Sequence, residues 1–159
     1  MSGFKTHRNA GLVVACAATA LNLYIYKETV GTLDTESIIK IILFSAPAAF
    51  IFALLPDIDI KSVSSKIVYL LVMLTLVGFY YLGYYKLGCS LSFLAMLPQL
   101  FKHRGFTHNI WVGGLAPIPA YFIFIHFGYE KYFLAYYIAS FLGYMSHLIV
   151  DNFYIFGRK

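Results

Sequence analysis

SIIKIILFSAPAAFIFALLPDID, residues 37–59, decides the fold. From 37 to 55 it carries one charge, Lys40, and no alternation of apolar with polar residues. A helix that crosses a bilayer needs about 20 consecutive, mostly apolar residues. Lipid tolerates only backbones whose N–H and C=O groups are all satisfied internally, so a span is a helix or part of a closed barrel. A barrel strand alternates lipid-facing apolar with inward polar side chains, and this stretch does not. It reads as a membrane-spanning helix that stops at a proline and two carboxylates, Pro56, Asp57 and Asp59.

Five more apolar runs follow the same reading: residues 10–26, 67–85, 89–101, 110–127 and 132–150. The 89–101 run contains Pro98 and is short for a full crossing, so it is expected to be tilted, kinked or partly re-entrant. The 110–127 run contains Pro117 and Pro119. The expected fold is all-α, a polytopic membrane helix bundle of about six apolar helices with the fourth short or kinked. It forms one integral membrane domain over residues 1–159. Lys5 and Arg8, ahead of the first run, resemble the n-region of a signal peptide. No small-residue cleavage site closes that run, so it reads as an uncleaved first span.

Composition excludes the other classes. The chain is 60% apolar and 12% charged, whereas a soluble domain is about 45–50% apolar and about 25% charged. Disorder needs low hydrophobicity. In a soluble protein the net charge of +5 would suggest nucleic acid. Here the basic residues belong beside anionic headgroups, so the expected partners are membrane lipids and no nucleic acid. Cys16 and Cys89 fall inside apolar runs, define no disulfide framework, and read as small core residues.

Six crossings would bring both chain ends to one side. That side would hold Lys5, Arg8, Lys61, Lys66, Lys102, Arg104, Arg158 and Lys159, against Lys27, Lys40, Lys86 and Lys131 opposite. The excess points to a cytoplasmic location for both termini. Glu28, Asp34, Glu36 and Glu130 fall on the far side, leaving Asp57, Asp59 and Asp151 on the near one.

Ionisable groups at membrane depth are costly and mark functional sites. Four clusters stand out: Thr6-His7-Arg8 before the first run, Pro56-Asp57-Ile58-Asp59 after the second, HRGFTH at 103–108, and His147 with Asp151 at the end of the sixth. With six crossings all four reach the same face. His147 and Asp151 are four apart, so on a helix they share one side, one turn apart. Gly105 permits a bend that turns His103 and His108 toward one point. Imidazole nitrogens and carboxylate oxygens are good ligands for zinc and similar divalent ions. The candidate metal ligands are therefore His7, Asp57, Asp59, His103, His108, His147 and Asp151. These exceed one tetrahedral set, so two or more ions are expected, zinc first, with manganese or magnesium possible. Singly, several have a plainer reading: His7 as an interfacial residue, Asp57 as a helix cap, and Asp151 as a partner of Arg158 or Arg104; His126, outside the clusters, reads as interfacial.

The motifs resemble those of the YdjM-like family, LexA-regulated proteins associated with the bacterial inner membrane and classed as metal-dependent hydrolases. The matching pieces are His7, LPDID at 55–59, HRGFTH at 103–108 and GYMSHLIVD at 143–151, in that order between apolar runs. The chain departs at Asn109, where members often have Ser, and at Ile60, Lys61 and Ser62, where many have His-Pro and then Ser. A fainter similarity, in ligand types and the HxxxD spacing, is to zinc-dependent phospholipase C and related nucleases.

The resemblance implies a bacterial inner-membrane hydrolase. The expected reaction is cleavage of a phosphoester in a lipid or other amphiphilic substrate, by a metal-activated water at the cytoplasmic face. Asp59 would act as base, and Arg104, whose fork matches phosphate, would clamp the substrate. Two alternatives stand beside it: a non-catalytic metal-binding transporter or sensor, and a structural protein whose polar clusters only cap helices.

Overall fold

Local signals set where the helices begin and stop. The structure, a computed structural model, describes residues 4–57, 63–96 and 108–156. All regular elements among these residues are helical. Helix α1 spans Phe4–Val30, α2 Thr35–Leu54, α3 Val63–Tyr81 and α4 Tyr85–Met96. After these come α5 (Ile110–Leu115), α6 (Ala120–His126) and α7 (Phe133–Phe156). Single 3-10 turns at Leu55–Asp57 and Glu130–Tyr132 follow α2 and precede α7. Gly31 takes φ +83 after α1 and returns its N–H to the Lys27 carbonyl at 2.8 Å, a left-handed stop that glycine adopts without strain. Asp34 then caps α2, accepting from the Ser37 N–H at 3.2 Å.

Helices α1, α2 and α7 form the core of the bundle. Their shared interface is built from small side chains, with Ala15, Ala18, Ala48, Ala49 and Ala139 buried. In lipid, helices gain little from hydrophobic exclusion, so close backbone approach and interhelical hydrogen bonds hold them together. Asn22 supplies two of those bonds, donating to Ser45 Oγ at 2.9 Å and to the Ala135 carbonyl at 2.7 Å. One α1 side chain thereby ties α2 and α7 together. Helices α3 and α4 pack on each other across a turn at Gly83, and α5 leans on α7.

Among the described residues, three helices are long and apolar enough to cross a membrane: Lys5–Val30, Thr35–Asp57 and Glu130–Asn152. Only 22%, 39% and 28% of their apolar windows are buried within the protein. The outward faces present Leu12, Val13, Ile39 and Leu43, the surface lipid would cover. Ser65–Tyr81 is a shorter apolar helix, and Ile110–His126 is a shorter apolar stretch shared by α5 and α6.

The structure changes several details of the sequence reading. The first helix starts at Phe4, so His7 sits within it and not ahead of it. The third helix stops at Tyr81 rather than 85, because Gly83 turns the chain at φ +76. The fourth starts at Tyr85 rather than 89 and is described to Met96. The fifth run is broken between Leu115 and Ala120, where Pro117 and Pro119 each lack the N–H an α-helix needs. Cys16 and Cys89 are exposed rather than core residues. In a lipid-facing bundle, an apolar position points outward as readily as inward.

Candidate metal centre

Four separate segments carry polar side chains to one end of the bundle. His7 lies in the second turn of α1 and is buried. Asp57 closes the 3-10 turn that ends α2, where buried Pro56 precedes it. His147 and Asp151 lie one turn apart on α7. His108 comes two residues before α5, next to the N-cap Asn109, whose side chain accepts from the Trp111 N–H at 3.1 Å. The Tyr144 hydroxyl donates to the Asn109 carbonyl at 3.2 Å. It pins the segment bearing His108 to α7, three residues before His147. Gly113 makes room for that ring, since a Cβ there would lie 2.5 Å from it.

Asp151 is the hub. Its Oδ1 lies 3.3 Å from His7 Nε2, and its Oδ2 lies 3.4 Å from His108 Nε2 and 3.6 Å from His147 Nε2. Asp57 Oδ1 lies 3.6 Å from the same His147 nitrogen. The rings of His7 and His147 stack with centroids 3.9 Å apart and planes 12° from parallel. His108 meets His147 edge-on at 5.5 Å. The side chains of Asp57, His108 and Asp151 are 14% to 17% exposed, so the cluster is shielded but not sealed.

These separations are too long for good hydrogen bonds, which run about 2.7–3.2 Å for N–H to O. They suit a different geometry. Ligands at the corners of a tetrahedron, each about 2.0–2.2 Å from an ion, stand about 3.3–3.6 Å from one another. His147 is prepared for that role. Its Nδ1 lies 2.8 Å from the Ala53 carbonyl, the partner that makes Nδ1 the protonated nitrogen and leaves Nε2 with its lone pair. That Nε2 is buried and has no hydrogen-bond partner among the described residues. Two triads emerge, His7 with His147 and Asp151, and Asp57 with His108 and His147, their ligand atoms all within 4.8 Å of one another. The donor set and its spacing fit a divalent ion.

Five of the seven candidate ligands, His7, Asp57, His108, His147 and Asp151, thus meet at one place. Asp59, His103 and Arg104 lie outside the described residues. The sequence reading missed the backbone carbonyl of Ala53 and the role of Tyr144. A carbonyl has no residue type to read. Tyr144 stands inside the GYMSHLIVD motif, and its adjacency to the histidine was the available signal.

Comparison with curated proteins and with solved structures finds no significant match. The family model described as YdjM inner membrane protein matches residues 1–159. That breadth agrees with three helices of spanning length and with an all-helical bundle. The chain therefore belongs to the YdjM inner membrane protein family.

Proposed function

We propose that the protein is a membrane-bound, metal-dependent hydrolase that cleaves a phosphoester of a lipid or other amphiphilic substrate at the cytoplasmic face. One observation carries the reading. Asp57 Oδ1 and Asp151 Oδ2 each lie 3.6 Å from a buried His147 Nε2 that makes no hydrogen bond among the described residues, and His108 Nε2 lies 3.4 Å from the same Asp151 oxygen.

His108, His147, Asp57 and Asp151 would hold one divalent ion, zinc by the balance of imidazole and carboxylate donors. A ring nitrogen serves a single ion, so His147 cannot complete both triads at once. Asp151 faces both triads, with Oδ1 turned toward His7 and Oδ2 toward the other two histidines. A second ion would therefore sit on the His7 side. A bound ion of this kind lowers the pKa of its water to about 7 and polarises a phosphoryl oxygen.

The protein's own residues do the rest. The Ala53 carbonyl fixes the His147 tautomer, and Tyr144 holds the His108 segment in place. Arg104 is assigned to clamp the phosphoryl group and Asp59 to accept the proton of the attacking water. The cluster lies at helix ends, where a headgroup would meet it while the apolar tail stays in the bilayer. Transporter sites tend instead to lie near the midplane between broken helices, so the position disfavours transport. The eight Lys and Arg that six crossings would bring to one side, against four opposite, support multi-pass insertion with both termini in the cytoplasm.

The test is hydrolysis of lipid phosphoesters by the detergent-purified chain with added zinc or manganese. His147→Ala should remain inserted and lose turnover. Turnover that survives this change overturns the assignment.

A further inference from the structure

We infer that Gly11 and Gly143 are positioning residues of the metal centre, setting the helix separations at which its histidines meet. The inference rests on the metal reading above. Each glycine stands one helical turn deeper in the bundle than a histidine of the cluster: Gly11 four residues after His7 on α1, and Gly143 four before His147 on α7. Both press on α2, and on positions one turn apart. A Cβ at Gly11 would come within 2.9 Å of the Ala53 Cβ, and one at Gly143 within 2.1 Å of the Ala49 carbonyl oxygen. Ordinary contact begins near 3.4 Å. An added methyl group would therefore displace α1 by about half an ångström, or α7 by more than one, unless something else gave way.

Small residues at helix contacts are common in membrane proteins for packing alone. Here the contact is coupled to the site. Ala53, which receives Gly11, is the residue whose carbonyl meets His147 Nδ1 at 2.8 Å. The stacked His7 and His147 rings are carried by the two helices that the glycines seat. A shift of either helix slides one ring past the other and opens the 3.3 Å spacing between His7 and Asp151, and a shift of α7 also opens the 3.6 Å spacing between His147 and Asp57. His147 Nε2, buried and without a hydrogen bond among the described residues, is the group whose aim depends on both contacts.

The two glycines predict different rescues. Gly11→Ala collides with a side-chain methyl, so Ala53→Gly in the same chain removes the collision and keeps the carbonyl for His147. Gly143→Ala collides with a backbone oxygen, which no substitution of Ala49 removes. Gly78 has nothing within 4 Å of its would-be Cβ and serves as the control.

The experiment is a Co²⁺ titration of the full chain in detergent. It is followed by the cobalt ligand-field spectrum and checked by thermal midpoint. Wild type and Gly78→Ala should bind alike. Gly11→Ala should bind about 10–100-fold more weakly, the range for losing an outer-shell partner, with an altered spectrum. Gly11→Ala with Ala53→Gly should regain wild-type affinity and spectrum, whereas Gly143→Ala with Ala49→Gly should not recover. Where Gly11→Ala alone fails to fold, the rescued double variant decides. Wild-type affinity in Gly11→Ala, or a folded double variant that stays weak, overturns the inference while leaving the metal site standing. A wild-type chain that takes up no cobalt overturns both.

Discussion

Replacing Asp151 by asparagine keeps the shape of the side chain and exchanges one carboxylate oxygen for an amide NH₂. No cavity is made and the helix is undisturbed. The change falls on the residue nearest to three histidines at once, at 3.3, 3.4 and 3.6 Å. A four-ligand zinc site supplies about 10–16 kcal/mol of binding free energy, hence about 2.5–4 kcal/mol per ligand. At about 1.4 kcal/mol per decade, losing one anionic ligand weakens zinc binding about 60- to 700-fold. The metal-free protein should barely notice, because contacts of a partly exposed carboxylate contribute about 0–1 kcal/mol. The assay is competition for zinc against a chromophoric chelator, with thermal melts of both variants in chelator alone. At least about twentyfold separates this outcome from its opposite. Affinity within threefold of wild type, with unchanged metal-free melts, would refute the placement of Asp151 at the centre of the site.

Other measurements probe the parts separately. Zinc at about 100 times its dissociation constant should stabilise the chain by about 2.7 kcal/mol. That raises the thermal midpoint by about 5–11 °C for a protein of this size. Excess chelator should abolish the gain, and no gain would argue against a site in the folded state. Asn22→Leu removes two interhelical hydrogen bonds and should cost about 1–2 kcal/mol of stability. Its zinc affinity should stay at the wild-type value, since Asn22 lies about 22 Å along α1 from His7. Asp34 is held below the usual carboxylate range by its bonds to the Ser37 hydroxyl and then to the Ser37 N–H. A lowered folded-state value means stabilisation that is full above the ordinary pKa of about 3.9 and is lost as pH falls through the folded value. Asp34→Asn keeps a capping oxygen and should flatten that acid-side loss in melts taken from pH 6 to pH 3. An unchanged acid limb would remove Asp34 from the account.

Much of the architecture was legible because the chain must satisfy lipid. Runs such as 37–55 and 132–150 hold so few polar atoms that only helices serve. The same scarcity made His7, Asp57, His108, His147 and Asp151 conspicuous, and these five meet within a few ångströms. What stayed hidden depends on backbone. Gly83 and Gly78 look alike in sequence, yet Gly83 takes a positive φ and ends α3 while Gly78 lies within it. The break between α5 and α6 follows from Pro117 and Pro119. Both stand inside one continuous apolar run, which hydropathy alone does not divide. The outward turn of Cys16 and Cys89 was unreadable from hydropathy, because lipid and protein interior select the same apolar residues. The close seats of Gly11 and Gly143 on α2 depend on helix separation, which no spacing in the chain encodes.

The central claim is that the convergent histidines and carboxylates hold a divalent ion. Elemental analysis of detergent-purified wild-type chain beside His147→Ala tests it most directly. At least one equivalent of zinc or a similar ion is expected per wild-type chain, retained through gel filtration, with a large loss in the variant at equal yield and helicity. A wild-type chain that carries no metal and takes up neither zinc nor manganese when offered them would contradict it.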